Sequence, residues 1–211
     1  EMLRSLVGSE MCIRDRIIGE APCMKDMIET TDHDFAVVTA VSILAIFIII
    51  LLVEKSLTLP VVLIAVIELG IFINLGLPHY LGQSMAFITP ICISTIQLGA
   101  TVDYAILMTT RYKAERIAGQ SKKDAVWTAL YTSIPSIFVS GMGMFAATFG
   151  VALYSDIEIV SSMCMLIARG AVISMLLVTF VLPAMFMLLD TVICKTTLDM
   201  RHICLLYTSD A

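Results

Sequence analysis

Five long apolar stretches constrain this chain more than any other feature of its sequence. Each is 18 to 23 residues long and contains at most one charged side chain. A helix needs about 20 such residues to cross a hydrocarbon core about 30 Å thick. The stretches lie at residues 35–53, 60–77, 88–110, 134–154 and 171–189. The sequence therefore predicts five transmembrane segments.

The composition agrees with a chain dissolved in lipid. Hydrophobic residues make up 59% and charged residues 15% of the sequence, and the mean hydropathy is +0.95, well outside the usual balance of soluble domains. Backbone groups in lipid must bond within their own segment, and the stretches lack the alternation typical of barrel strands. We therefore predict an all-α polytopic membrane protein.

The basic residues predict how this bundle is oriented. Eight Lys and Arg residues follow the first, third and fifth stretches, whereas residues 78–87 and 155–159 contain none. Cytoplasmic loops carry the excess of Lys and Arg. We therefore expect the N-terminal side of the bundle outside the cell and its C-terminal side in the cytoplasm. The net charge of −5 is spread thinly and gives no reason to expect a nucleic-acid partner.

The two ends of the chain are interpreted separately from the fold. Residues 1–16 and 204–211 resemble translated sequencing-adaptor read-through, and such scars are excluded from fold reasoning. Residues 17–34 are then expected to be the end of an extracytoplasmic region. Residues 35–189 form the five-helix domain, and residues 190–203 a cytoplasmic tail. The chain is expected to be a fragment of a longer protein.

Asp103 is the candidate functional residue of the third stretch. A carboxylate within hydrocarbon is costly, so it normally faces a bundle interior or a water-filled path and has a function there. Helical spacing places Gly99 on the same face as Asp103, one turn away, and turns Tyr104 by about 100°. The phenolic hydroxyl of Tyr104 can donate and accept a hydrogen bond. Asp103 and Tyr104 together are therefore candidates for a proton relay.

Glu68 is a second carboxylate near the same depth. At about 1.5 Å per residue, Glu68 and Asp103 each lie roughly 12 Å from the cytoplasmic boundary. Two carboxylates close together in a low dielectric influence each other's protonation. The alternative is that Glu68 is a neutral carboxyl, hydrogen-bonded to a neighbouring helix. The sequence leaves both interpretations of Glu68 open.

The fourth stretch carries a line of small residues. They recur at alternating intervals of four and three, which aligns them along one helix face. They are Ser136, Ser140, Gly143, Ala147 and Gly150. Tight helix packing is the simpler interpretation, and substrate contact is the alternative.

Two further segments flank the stretches. Residues 111–133 combine basic residues with Trp127 and Tyr131, which predicts an amphipathic segment on the cytoplasmic leaflet. Arg169 is expected to extend toward the outer membrane interface, with an ion pair to Asp156 or Glu158 as the alternative.

Three motifs resemble one transporter family. The run QLGATVDYAIL at residues 97–107, followed by TRY at 110–112, is similar to the MMPL branch of the resistance-nodulation-division superfamily. The runs IELGIFIN at 67–74 and RGAVIS at 169–174, with FVLP at 180–183, share this resemblance. The resemblance implies that the chain is the last five helices of one of the two similar halves of such a transporter, and more specifically of the second half. The N-terminal half and the porter domains would then be missing partners.

The resemblance also implies a function. In that family an Asp-Tyr pair on the corresponding helix carries protons that drive export of lipids, hydrophobic drugs or other amphiphiles across the plasma membrane. This role maps onto Asp103 and Tyr104, with Glu68, Gly99, Ser136, Ser140 and Gly143 as supporting residues. The proton gradient is the energy source, and no cofactor is implied.

Other classes of function are weighed against transport. A membrane sensor or scaffold similar to a sterol-sensing domain shares the five-helix layout but needs no titratable carboxylate at the membrane midplane, so Asp103 favours transport. Six cysteines show no Cys-x-x-Cys pattern and are interpreted as apolar fillers, which leaves no expected metal site. No nucleophile-base arrangement or phosphate-binding glycine loop is evident, so an enzyme is not expected.

Overall fold

A computed structural model describes residues 20–82 and 88–197. Over these residues the chain forms five α-helices and no extended strand. The helices are α1 (Glu20–Glu54), α2 (Thr58–Tyr80), α3 (Thr89–Ile117), α4 (Lys122–Tyr154) and α5 (Glu158–Thr196). The predictions for residues 1–16, for 17–19 and for 198–211 fall outside the described residues. All five helices are long and apolar enough to cross a membrane.

Each apolar stretch lies on one helix, but three helices are much longer than their stretches. α1 begins at residue 20 instead of 35. α4 begins at residue 122 instead of 134, and α5 begins at residue 158 instead of 171. α5 has 39 residues and is about 58 Å long at about 1.5 Å per residue, so it extends well beyond a hydrocarbon core. Hydropathy identifies only the part of a helix that faces lipid, because polar residues continue the helix into the interfaces.

The prediction of a separate amphipathic segment over residues 111–133 is wrong. Residues 111–117 complete α3 and residues 122–133 are the first turns of α4, so only a short turn separates the two helices. Gly119 adopts φ +87° just after α3, a conformation that glycine reaches without strain. The side chain of Ser121 then caps α4 by accepting a hydrogen bond from the backbone N–H of Asp124 at 3.3 Å.

The core of the bundle lies between α2, α3, α4 and α5. α5 contacts the other three of these helices, while α1 contacts α2 and α3. Tyr112 of α3 stacks on Phe186 of α5 with ring centroids 4.7 Å apart. Both side chains are almost completely buried. The remaining fully buried large side chains come from α1 to α5, namely Ile50, Leu59, Leu63, Ile67, Ile93, Met108, Ile137, Leu182 and Ile193.

The ends of all five helices meet at one end of the bundle, here called the basic end because Lys55, Arg111, Lys113, Arg116 and Lys195 lie there. An isolated β-bridge joins Ser56, between α1 and α2, to Thr197 after α5. The hydroxyl of Thr197 also donates to Ser56 Oγ at 2.9 Å. These contacts join the segment between α1 and α2 to the C-terminal end of α5. The opposite end is called the acidic end, since Asp156 and Glu158 lie there.

Candidate functional site

The side chains of Asp103 and Tyr104 have different surroundings. Asp103 is exposed, whereas Tyr104 is only 5% exposed and belongs to the hydrophobic core. Tyr104 lines a small cavity with Met144 of α4 and Ala171 of α5. The 100° rotation between consecutive helix positions produces this difference. Asp103 therefore lies on a face of α3 that the other described helices leave uncovered.

The small residues near Asp103 and on α4 share this exposure. Gly99 is exposed on α3, and all five residues of the small-residue line on α4 are exposed as well. A Cβ added at Gly99, Gly143 or Gly150 would meet no atom within 4 Å. Packing within this chain therefore does not require glycine at these three positions. A close approach by something outside the described helices is the physical reason that glycine would be needed there.

Glu68 lies in a cavity that does not include Asp103. This cavity, here called the α1–α3 cavity, is about 120 Å³ in volume and is bounded by side chains of α1, α2 and α3. Its lining includes Glu68, Phe72 and Ser94. Among the described residues, Glu68 Oε1 is buried and has no hydrogen-bond partner. The cavity therefore gives Glu68 surroundings of its own, separate from the exposed face of Asp103.

A buried polar network crosses the bundle between α2, α3 and α5. Arg169 donates from Nε to Asn74 Oδ1 at 3.0 Å and from Nη2 to the Asn74 carbonyl at 2.7 Å. Asn74 Nδ2 donates to Gln97 Oε1 at 2.9 Å, and Gln97 Nε2 donates to Ser174 Oγ at 3.1 Å. The hydroxyls of Ser174 and Thr101 are 2.8 Å apart. Such a network is strong in a low dielectric because each amide group has its partner.

Gly170 makes room for this network. A Cβ at residue 170 would lie 2.6 Å from Asn74 Nδ2 and 2.8 Å from Gln97 Oε1, which is closer than real Cβ contacts allow. The absence of a side chain lets α5 approach the two amide groups directly. Gly170 thus holds α5 in register with α2 and α3 at the level of the network.

The network was missed in the sequence, although its residues lie within the three motifs that resemble the MMPL family. Asn74, Gln97 and Ser174 are polar side chains inside apolar stretches, which was an available signal. Arg169 does not extend freely to the interface, because its guanidinium bonds to Asn74. The alternative ion pair to an acidic residue is not seen for Arg169 in the described part of the chain.

Two ion pairs fix the basic end of α3. Arg116 Nη2 lies 3.0 Å from Asp190 Oδ2 on α5, and Arg116 Nε lies 3.1 Å from Asp190 Oδ1. The hydroxyl of Tyr112 donates to the same carboxylate. All three side chains are buried. The arrangement is bidentate, which gives α3 and α5 a fixed relative position.

The second pair joins α3 to α1. Lys113 Nζ lies 3.2 Å from Glu54 Oε2 and donates to the Glu54 carbonyl at 2.7 Å. Thr110 Oγ1 donates to Glu54 Oε1 at 3.0 Å. Lys113 therefore forms its ion pair with a protein carboxylate. Thr110 is seven residues after Asp103, so the exposed face of α3 runs from Asp103 toward this pair.

The comparisons with known proteins agree with this architecture. The sequence model of the MMPL family matches residues 12–196. The siderophore exporter MmpL5 of Mycobacterium tuberculosis (strain CDC 1551 / Oshkosh) is 27% identical over 139 residues, which are 63% of this chain and 14% of that protein. The mycolic acid-containing lipids exporter MmpL11 of Mycolicibacterium smegmatis is 23% identical over 160 residues, covering 75% of this chain and 16% of that protein.

A third relative carries a different functional name. The heme uptake protein MmpL11 of Mycobacterium tuberculosis (strain CDC 1551 / Oshkosh) is 26% identical over 143 residues, 67% of this chain and 15% of that protein. The chain thus spans about 15% of the length of these relatives. The family match covers most of the described bundle, including all three motifs. This chain belongs to the MMPL family.

Proposed function

We propose that this chain is the membrane part of a proton-driven exporter of lipids, hydrophobic drugs or other amphiphiles in the plasma membrane. Two of the relatives named above are exporters, one of a siderophore and one of mycolic acid-containing lipids. Another relative is named for heme uptake. Export, as opposed to uptake, is therefore itself part of the proposal. The membrane lipids and the amphiphilic substrate are the proposed partners.

One observation carries the proposal: Asp103, within a membrane-spanning helix, lies on a face that the described helices leave uncovered. A carboxylate facing lipid directly is costly. It becomes tolerable if further helices cover this face and supply water or polar partners. We therefore propose that the missing half of the protein packs there, against Gly99 and the small residues of α4.

The proposed cycle uses the charge of Asp103 as the switch. Protonation from the outer side makes Asp103 neutral, and release to the cytoplasm makes it charged. Each state favours a different packing of the helices around it, as in other alternating-access transporters. One elementary charge moved through 100 mV supplies about 2.3 kcal/mol, which is enough to shift a two-state equilibrium by more than tenfold.

Tyr104 is proposed to assist from a neighbouring face of α3, about 100° from Asp103. Its ring is held in the core between α4 and α5, so a change in the packing of these helices would move it. Ser136, Ser140 and Gly143 are proposed to form the surface on which the partner half moves. Glu68 lies in its own cavity and is proposed to have a role separate from Asp103.

The test is Asp103→Asn in the intact protein, expressed in cells whose own export of the substrate has been deleted. Removal of the titrating group while the shape is kept should abolish uncoupler-sensitive export, and the amount of folded protein should stay near that of the wild type. Glu158→Gln, at an exposed carboxylate of the acidic end, is the matched control and should keep export. Unchanged proton-dependent export in Asp103→Asn would contradict the relay role of Asp103.

A further inference from the structure

The α1–α3 cavity has the features of a binding site and has no role in the proposed proton cycle. Its lining is predominantly apolar, with side chains from three helices: Phe35 and Ser42 of α1, Glu68 and Phe72 of α2, and Ser94 and Thr95 of α3. At about 120 Å³ it is close to the engineered cavity of about 150 Å³ that binds benzene. It can therefore hold one compact group of a larger molecule.

The cavity contains one polar atom that lacks a partner. Glu68 Oε1 is buried and has no hydrogen bond among the described residues. The hydroxyls of Ser94 and Thr95 already donate to the carbonyl of Ile91, at 3.1 and 2.8 Å, so these two hydroxyls are left as acceptors. A buried acceptor without a donor costs free energy. A hydrogen-bond donor bound in the cavity would satisfy Glu68 Oε1.

The rim of the cavity shows how such a group could enter. Phe72 is 73% exposed on α2 and Thr95 is exposed on α3, although both line the cavity. The side chain of Glu68 lies inside, only partly exposed. A molecule lying in the membrane could thus place its head inside the cavity while its apolar body stays against Phe72 in the lipid.

We propose that the α1–α3 cavity binds the ammonium head of a cationic amphiphile, with Glu68 as its counter-ion. A carboxylate in hydrocarbon is stabilised most by a cation that also donates hydrogen bonds. A primary ammonium has three donors, which can reach Glu68 and the accepting hydroxyls of Ser94 and Thr95. The source of this head is an aminophospholipid of the membrane or a small cationic amphiphile.

The experiment uses the intact protein in phosphatidylcholine nanodiscs without a proton gradient. The probe is octadecylamine carrying a photoreactive diazirine, with the corresponding octadecanol and octadecanoic acid as matched probes. Labelled peptides are identified by mass spectrometry. We expect the amine to label peptides that line the cavity about tenfold more than the alcohol does, since one charge-assisted hydrogen bond contributes roughly that factor in affinity. The acid should label these peptides least.

Two variants and one control test the site itself. Glu68→Gln removes the charge and should lower labelling by the amine about tenfold. Ser42→Leu fills the cavity from α1 and should lower labelling while Glu68 stays intact. Glu158→Gln removes an exposed carboxylate outside the cavity and should label like the wild type. Labelling that persists in Ser42→Leu or in Glu68→Gln, or equal labelling by all three probes, would overturn the proposal.

Competition identifies the source of the head. Nanodiscs with phosphatidylethanolamine should suppress labelling if the natural occupant is an aminophospholipid, because its ammonium donates hydrogen bonds whereas that of phosphatidylcholine cannot. Suppression only by unlabelled dodecylamine would assign the cavity to small cationic amphiphiles. Failure of both competitors would contradict a cation site. Because the measurement needs no transport, its failure is distinguishable from a failure of the proton relay.

Discussion

Asp103 and Tyr104 are consecutive in the chain, yet Tyr104 is buried in the core and Asp103 is exposed on the uncovered face of α3. One helix thus presents the ring to α4 and α5 and the carboxylate away from them. The stability of the bundle and the proposed proton chemistry are therefore assigned to different side chains, and substitutions can separate them.

Tyr104→Ala should destabilise the protein by about 3–5 kcal/mol, because it removes a buried aromatic ring and leaves a cavity. Asp103→Ala should cost clearly less than Tyr104→Ala, because it removes no side chain from the core of the described bundle. Thermal unfolding of the purified intact protein in detergent measures both. Equal losses in the two variants would contradict the assignment of bundle stability to Tyr104 and not to Asp103.

Gly170→Ala should disrupt the polar network, since the new Cβ would come within 3 Å of the amide groups of Asn74 and Gln97. We expect a loss of about 1–3 kcal/mol from overpacking. The matched control is Gly76→Ala on α2, where a Cβ meets no atom within 4 Å. It should be neutral or stabilise by up to about 1 kcal/mol through helix propensity. Unfolding midpoints that fall equally in both variants would argue against close packing at Gly170.

Arg116→Met should destabilise the protein by about 3 kcal/mol, because it leaves Asp190 buried without its cation. Adding Asp190→Leu should restore much of that loss, since an apolar pair of similar size needs no counter-charge. Arg111→Met, at an exposed position of α3, is the control and should have little effect. Chemical or thermal unfolding of the wild type, Arg116→Met, Asp190→Leu and the double variant completes the cycle. Additive losses in the double variant would contradict a direct pairing of Arg116 with Asp190.

Gly143→Leu tests whether the uncovered face of α4 receives another part of the protein. Nothing lies within 4 Å of the added Cβ in the described bundle, so the bundle itself should tolerate leucine. Export by the intact protein should nevertheless fall at least about tenfold, because leucine would hold an approaching helix away from the small-residue line. Phe138→Leu, at an exposed position on a different face of α4, should keep export. Export unchanged in Gly143→Leu would exclude a close partner at this face.

The secondary structure was largely predictable because hydropathy alone sets it in lipid. Uninterrupted apolar stretches can satisfy their backbone only as helices, and every predicted stretch lies on one of the five helices. The helix ends were not predictable to the same degree. The polar first turns of α4, with Trp127 and Tyr131, resemble a surface segment, and only the continuity of the backbone from residue 122 to 154 shows one helix.

The candidate site was predictable only in part. The spacing of Asp103, Gly99 and Tyr104 on a helix determined that the tyrosine and the carboxylate face different directions. It could not determine which direction is covered, because that depends on where α2, α4 and α5 pack. The pairing of Asn74 with Gln97, 23 residues apart, and with Arg169, 95 residues apart, likewise has no local signal.

The sequence by itself determined that this chain is a bundle of five membrane helices of the MMPL family with a carboxylate in the third, since apolar length and motif depend only on residue order. The tertiary structure decided which side chains meet: the network around Gly170, the ion pairs of Arg116 and Lys113, and the separate cavity of Glu68. These are long-range contacts, and their geometry follows from how helices pack against each other. Residue order constrains helices within a few turns, whereas packing between helices brings together residues that are far apart in the chain.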